Sequence, residues 1–213
     1  MPSSDSSVVR SWSLVIPVKE TRLAKSRLTG FDPATRSRLA LAFALDTVMA
    51  ALECAWVRRV VVVTNDGAAK HFAALGADVV TDDPAAGLNP ALVHAEAVVR
   101  ARDPLAAVAA ISADLPALTP DALNAAFAAA VPARWFVSDS DGVGTTLLAS
   151  GATTQLCPAF GSDSRIAHLK QGAKELDLPD LEGLRRDVDT ARDLSAALRL
   201  GVGLNTKAVL EGR

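Results

Sequence analysis

The sequence predicts an α/β protein: a mostly parallel central sheet with helices packed on it and a small antiparallel addition. Three observations carry this. Continuous runs of small or branched apolar residues recur along the chain, as buried parallel strands require. The early runs each give way to a polar loop and then a helix signal, the alternation that builds a parallel sheet. Half of the 213 residues are hydrophobic but only 4% are aromatic, and the many alanines suit helices lying close on a sheet. The length fits one domain over residues 1–213, with the first ten residues read as a flexible tail.

Ser11 to Val18 forms the first strand and runs into Lys19 to Leu28, where four cations stand within nine residues (Lys19, Arg22, Lys25, Arg27). A basic loop at a strand's carboxyl end can hold a polyphosphate by charge and backbone amides, or it can be an ordinary solvated surface. Asp32-Pro33 has the form of an N-cap followed by proline at the first helical position. Leu41, Leu45, Val48 and Leu52 then form one apolar stripe; Asp46 and Arg38 fall off it and are expected in solvent. Val60 to Val63 is a buried strand. A short helix follows and stops at Gly76, and Ala77 to Val80 is a third strand.

The Gly- and Pro-marked loop Thr81 to Leu92 contains Asn89-Pro90, expected to start a helix running to about Arg102. Asn89 either caps that helix or turns its amide toward a base edge. His94 reads as a surface or packing residue. Val108 to Leu118 is the stretch that organises the chain: an apolar run leads into one carboxylate, Asp114, and proline then stops it. Open α/β sheets bind their ligands beyond the carboxyl ends of the strands, so Asp114 stands where a site residue would; a turn or capping aspartate is the alternative. Thr119-Pro120 starts another helix. Trp135 to Val137 and Leu147-Leu148 are strands separated by a polar loop, and here the alternation breaks.

Pro158 to Arg165 is a Gly/Ser loop opening a helix that carries His168 and Lys170. Its amides, with Ser164 and Arg165, suit a small anion; simple capping by Ser162 or Asp163 competes. Leu184 to Asp189 is expected as a final strand, with Asp187 and Asp189 on one face. Thr190 caps a helix that ends at Gly201, and residues 205–210 make a last short helix.

A formal net charge of -2 gives no reason to expect nucleic acid or anionic membrane as a partner. Cys54 and Cys157 form no metal or redox motif. Neither a signal peptide nor a run near ~20 apolar residues is present, so a cytoplasmic protein is expected. No Walker sequence occurs, and no G-x-G-x-x-G follows the first strand, which argues against P-loop NTPases and standard dinucleotide enzymes. The basic loop, Asp114 and the pair Asp187/Asp189 would instead meet over one sheet edge. Carboxylates beside cations suit a Mg2+-nucleotide site, in which the metal holds the α-phosphate and lysines stabilise departing pyrophosphate. A phosphate monoester, with its second pKa near ~6, can attack without a general base.

At these residues the chain resembles a known family. Ile16-Pro17-Val18-Lys19, Ala24-Lys25-Ser26-Arg27-Leu28, Asp114-Leu115-Pro116, Gly144-Thr145, Phe160-Gly161-Ser162-Asp163-Ser164 and Asp187-Val188-Asp189-Thr190 together look like the guanylyltransferases of coenzyme F-420 biosynthesis. The resemblance spans about Leu14 to Gly203 and implies a Rossmann-like GT-A nucleotidyltransferase fold with helices on both faces of the sheet. It implies condensation of GTP with phosphoenolpyruvate or 2-phospho-L-lactate, with release of pyrophosphate. The similarity to actinobacterial members favours phosphoenolpyruvate. By the resemblance, Asp114 and Asp187 hold Mg2+ with Asp189 assisting, and Lys19 and Lys25 contact the GTP phosphates, Lys25 and Asp114 being catalytic. Asp83 to Asn89 lies near the guanine, and Thr145, Gly161 and Ser164 hold the phosphorylated acid. The product would be a mixed anhydride, which suits hand-off to a downstream transferase. A nucleotidyltransferase for another small phosphate, a GT-A glycosyltransferase and a non-catalytic nucleotide-binding subunit are the rival readings.

Overall fold

A computed structural model of the chain describes residues 11–19, 25, 27–83, 85–131 and 133–212. In chain order the elements are β1 (Trp12–Pro17), α1 (Pro33–Glu53), β2 (Val57–Val63), α2 (Ala69–Ala74), β3 (Asp78–Val80), α3 (Leu88–Arg102), β4 (Ala107–Ile111), α4 (Pro120–Ala128), β5 (Trp135–Ser138), β6 (Thr145–Ser150), α5 (Ser164–Lys170), β7 (Lys174–Glu175), α6 (Glu182–Arg185), α7 (Ala191–Leu200) and α8 (Leu204–Leu210). The strands form one seven-stranded sheet in the order β3-β2-β1-β4-β6-β5-β7. β3, β2, β1 and β4 are mutually parallel, and β6 runs antiparallel to both β4 and β5. β6 is thus the antiparallel addition the sequence called for.

Alternation along the strands fills both faces. On β1, Trp12, Leu14 and Ile16 join a core with Val48 and Ala51 of α1 and Leu123 and Phe127 of α4. Val15 points the other way, with Val61, Val108 and Ala110, to meet Leu92, Ala95 and Val99 of α3. A third cluster lies beneath the carboxyl edge: Leu39 and Phe43 from α1 pack with Ala117, Val188, Leu194 and Ala197. It fastens the C-terminal segment to the loop that carries Asp114.

The helix starts obey local chemistry. Asp32 caps α1 by accepting from Ala34 N and Thr35 N, and Thr190 and Asp193 form a capping box on α7. Gly201, at φ 94, ends α7.

Three expectations are corrected. Asp46 is not in solvent but buried, accepting from Asn205 N at 3.0 Å, Asn205 Nδ2 at 2.9 Å and Thr206 N at 3.0 Å. It caps α8 from another helix, because Gly203 offers that helix no side chain and α1 is covered on a second face. Residues 184–189 are not a strand: α6 occupies Glu182–Arg185, and the chain then runs extended outside the sheet. The seventh strand is Lys174–Glu175 instead. Finally, α3 begins at Leu88 behind Gly87, whose φ of 108 ends the loop, so Asn89 is inside the helix and is not its cap.

Candidate active site

The strand leading to Asp114 ends at Ile111, and the three following residues form a tight shelf at the carboxyl edge. Side chains and backbone from four directions hold that shelf. Thr47 Oγ1 accepts from Leu115 N at 3.2 Å and lies 3.2 Å from the Ala113 carbonyl. Val188 N donates to Asp114 O at 3.0 Å, and Gly203 N to Pro116 O at 2.9 Å. Ser112 N donates to Thr146 O at 2.8 Å, which sets the start of β6 beside the shelf. Gly183 lies so near the Ala117 carbonyl that any Cβ there would overlap it. The Asp114 carboxylate is therefore presented by a backbone with little freedom.

Lys25 meets that carboxylate. Its Nζ donates to Asp114 Oδ2 and, at 2.9 Å, to Asp189 Oδ1, and only 9% of the side chain is exposed. Arg27, mostly exposed, pairs with the other oxygen of Asp189. Lys25 has φ 61, a left-handed conformation uncommon for a residue with a side chain. Burial alone would lower its pKa, but the charges of Asp114 and Asp189 outweigh this and raise it, so the ammonium is kept. For Asp189, burial pushes upward, yet Lys25 and then Arg27 hold the carboxyl below its ordinary range.

Among the described residues no cation pairs with Asp187 in this way. Burial first, then the charges of Asp114, Asp139 and Asp189, push its pKa up to about 7. Asp187 and Asp189 flank buried Val188, so both carboxylates turn away from the cluster that Val188 fills and toward Asp114. Their common side results from one buried residue between them, not from a sheet strand.

Two adjoining cavities open along the end of β1. One, of about 340 Å³, is bounded by Pro17 to Lys19, Lys25, Asp114, Asp189 and Phe160. The other, of about 270 Å³, shares Pro17, Val18, Lys19 and Leu88 and continues to Asn65, Asp82, Ala85 and Gly87. Asn65 and Asp82 are joined by two hydrogen bonds of 3.0 Å, which stiffens that far end.

The remaining sequence candidates divide. Lys19 is exposed on the rim of both cavities. Asp83 accepts from Thr81 Oγ1 at 2.9 Å, is largely solvent-exposed and does not line either cavity. Asn89 spends its amide on Phe160, donating to its carbonyl at 2.9 Å and accepting from its N–H at 2.8 Å. Thr145 and Ser164 are buried; Gly161 is exposed at φ 140, and Ser164 N bonds back to its carbonyl at 3.2 Å. Neither Ser162 nor Asp163 caps α5 by a side-chain bond. Arg22 lies outside the described residues. The sequence reading gave no role to His168, whose ring bridges Thr145 and the 159–160 backbone. A lone histidine inside a helix offers no signal by spacing.

Among the described residues no three side chains already form a metal-holding group. The donor set nevertheless fits a hard divalent cation: three aspartates share one edge, and burial and then the neighbouring carboxylates raise the pKa of Asp187, a penalty that a bound cation would relieve. Oxygen ligands without a thiol or imidazole suit Mg2+.

A half-open cleft at the carboxyl edge of a doubly covered sheet, with carboxylates facing a buried lysine, defines a nucleotidyltransferase-type fold and site. The solved structures agree on the fold. A chain from Desulfovibrio desulfuricans G20 assigned to the nucleotide-diphospho-sugar transferases superposes with a TM-score of 0.72 at 17% identity, covering 96% of this chain and 95% of that one. A Methanothermobacter nucleotidyl transferase superposes at 0.57 with 19% identity, covering 96% and 100%. The profile of the CofC-like guanylyl transferases matches residues 12–211, and the chain belongs to that family. The phosphoenolpyruvate guanylyltransferase of Thermomonospora curvata is 54% identical over 201 residues, covering 93% of this chain and 88% of its own length. That of Streptomyces coelicolor is 53% identical over 201 residues, covering 93% and 95%.

Proposed function

We propose that this protein transfers the guanylyl group of GTP to the phosphate of phosphoenolpyruvate, giving enolpyruvoyl-diphospho-guanosine and pyrophosphate for coenzyme F-420 biosynthesis. The observation that carries the chemistry is the meeting of Lys25 with Asp114 and Asp189 on the wall of one cleft. The choice of acid is supported by the names of relatives more than 50% identical.

The triphosphate lies along the Lys19–Lys25 side of the cleft and the guanine in the cavity that reaches Asn65, Asp82 and Ala85. A phosphate oxygen of the acid attacks the α-phosphorus; the bond from that phosphorus to the bridging oxygen breaks, and the β,γ-phosphates leave as pyrophosphate. Lys25 stabilises the charge that grows on the departing group. Asp114, Asp187 and Asp189 would hold Mg2+, which would screen the phosphates and orient the α-phosphate. Thr145, Gly161 and Ser164 hold the acid, on the side of the cleft that Phe160 walls. Asn89 contributes by holding Phe160, and Asp83 does so only if its loop closes over the base. The reaction needs no general base, because the attacking phosphate is already a dianion. GTP and phosphoenolpyruvate are cytoplasmic metabolites, and the protein works where they are. The mixed anhydride product is best passed directly to a downstream transferase.

The test is pyrophosphate release in Mg2+, pairing each of the four NTPs with phosphoenolpyruvate, 2-phospho-L-lactate and a sugar phosphate. Release with GTP and phosphoenolpyruvate is expected. Faster release with 2-phospho-L-lactate would change the acid, release only with a sugar phosphate would refute the reading, and none with any pair would leave a binding subunit.

A further inference from the structure

Behind Phe160, which borders the cleft, lies a hydrogen-bond chain whose direction is set by a backbone amide. Ala159 N can only donate, and it donates to His168 Nε2 at 3.0 Å. That nitrogen must therefore carry a lone pair, and in a neutral ring the proton sits on Nδ1. Nδ1 lies 2.9 Å from Thr145 Oγ1, so the imidazole donates and the hydroxyl accepts. The ring stays neutral: burial first, and then the charge of Arg134, lower its pKa from 6.5 to about 4.

The Thr145 hydroxyl thus accepts one hydrogen bond and still has its own proton to donate. Among the described residues no acceptor is hydrogen-bonded to that proton. Thr145 opens β6, next to the Ser112–Asp114 shelf. Across the ring from Thr145, Phe160 packs edge-on against His168 with centroids 5.4 Å apart and borders the cavity that holds Lys25 and Asp114. The same 159–160 backbone is clamped from α3 by both ends of the Asn89 amide. The segment before Gly161 is thus fixed at two successive residues, by His168 and by Asn89.

We propose that His168 is a positioning residue: held as its Nδ1–H tautomer by the Ala159 amide, it makes the Thr145 hydroxyl an obligate donor toward the anionic oxygens of the phosphorylated acid. A histidine of the opposite tautomer would take the hydroxyl proton, and the acid would face two oxygen lone pairs instead of a donor. His168 thereby selects for an anion at this position without touching it. The inference rests on the reading that Thr145 contacts the acid.

Two amide substitutions separate the ring's two tasks. In His168→Asn the side-chain NH2 takes the place of Nδ1 and can still donate to Thr145. In His168→Gln the carbonyl oxygen takes the place of Nε2 and keeps the Ala159 bond alone. A hydrogen bond to a charged group corresponds to about a 10- to 100-fold change in affinity. His168→Gln is expected to raise KM for phosphoenolpyruvate by that factor, with kcat and KM for GTP within about threefold of wild type, and His168→Asn to restore most of the loss. Thr145→Val should raise the same KM, and His168→Gln added to it should do little more. If Thr145→Val leaves the KM unchanged, Thr145 is not in the acid site and the underlying reading fails. If Thr145→Val raises it while His168→Gln does not, or the two effects simply add, the tautomer proposal alone fails. The wild-type protein gives an independent readout should a variant not fold: imidazole nitrogen NMR at pH 7 must show His168 protonated on Nδ1 only, and an Nε2–H or doubly protonated ring overturns the proposal.

Discussion

Replacing Lys25 with methionine removes one ammonium while keeping the length and most of the volume of the side chain. The structure sets the size of the effect. Nζ bonds to Asp114 and stands 2.9 Å from Asp189 with only 9% of the side chain exposed. At an effective dielectric of about 20, each such pair has a gross attraction of roughly 5 kcal/mol, against several kcal/mol for desolvating the ammonium. Asp114 and Asp189 are 28% and 39% exposed, so water screens part of what is left. The net cost to folding is about 1–3 kcal/mol, read as a shift in the urea midpoint in EDTA. In excess Mg2+ the gap between variant and wild type should shrink, because the divalent ion offsets the carboxylates that the variant leaves facing each other. Steady-state pyrophosphate release gives the second readout: loss of one electrostatic partner of the leaving group lowers kcat/KM for GTP by about 10²–10³. An unchanged kcat/KM, or a stability gap that Mg2+ does not narrow, would refute the reasoning.

Two further outcomes follow from buried groups away from the phosphates. Asp46→Ala orphans two amides of α8 and removes the trans cap, so it should cost about 2–4 kcal/mol in denaturant midpoint, while the protein that remains folded at low temperature keeps its KM values. His168 binds its proton at about 4 when folded and near 6.5 when unfolded. The unfolded chain therefore holds the extra proton across that window, so this contribution is complete above pH 6.5 and falls by about 3 kcal/mol as pH drops to 4. His168→Gln should flatten the wild-type stability curve over that range in titration by chemical unfolding, and a variant curve parallel to wild type would contradict the assignment.

What could be read from the sequence was whatever has a short-range physical cause. Asp32-Pro33, Thr119-Pro120, Thr190 and Gly201 mark helix ends by their own chemistry, and the apolar runs of β1, β2 and β4 can be satisfied only inside a sheet. The place of Asp114 at the sheet's carboxyl edge was legible because a buried apolar run leads straight into it. Groups satisfied across long sequence distances were not legible. Asp46 looks solvated on a helical wheel, since its partners Asn205 and Thr206 are about 160 positions away. Asp187-Val188-Asp189 alternates like a strand, but the alternation reflects Val188 entering the third cluster, not ladder pairing. Asn89 offered a choice of cap or base contact; it is not the cap, and the backbone N–H and carbonyl of Phe160 engage both ends of its amide.

The most direct measurement is pyrophosphate release from GTP and phosphoenolpyruvate by Asp114→Asn in saturating Mg2+, alongside its unfolding midpoint. The amide keeps the shape of the side chain on a shelf that Val188, Gly203 and Thr47 hold by other bonds. Lys25 keeps its pair with Asp189, and Asp187 loses a repelling neighbour, so the midpoint should move by no more than about 1–3 kcal/mol, the range expected for Lys25→Met, while turnover falls at least about 10³-fold. Wild-type turnover in a normally folded Asp114→Asn protein would remove this edge of the sheet from the chemistry.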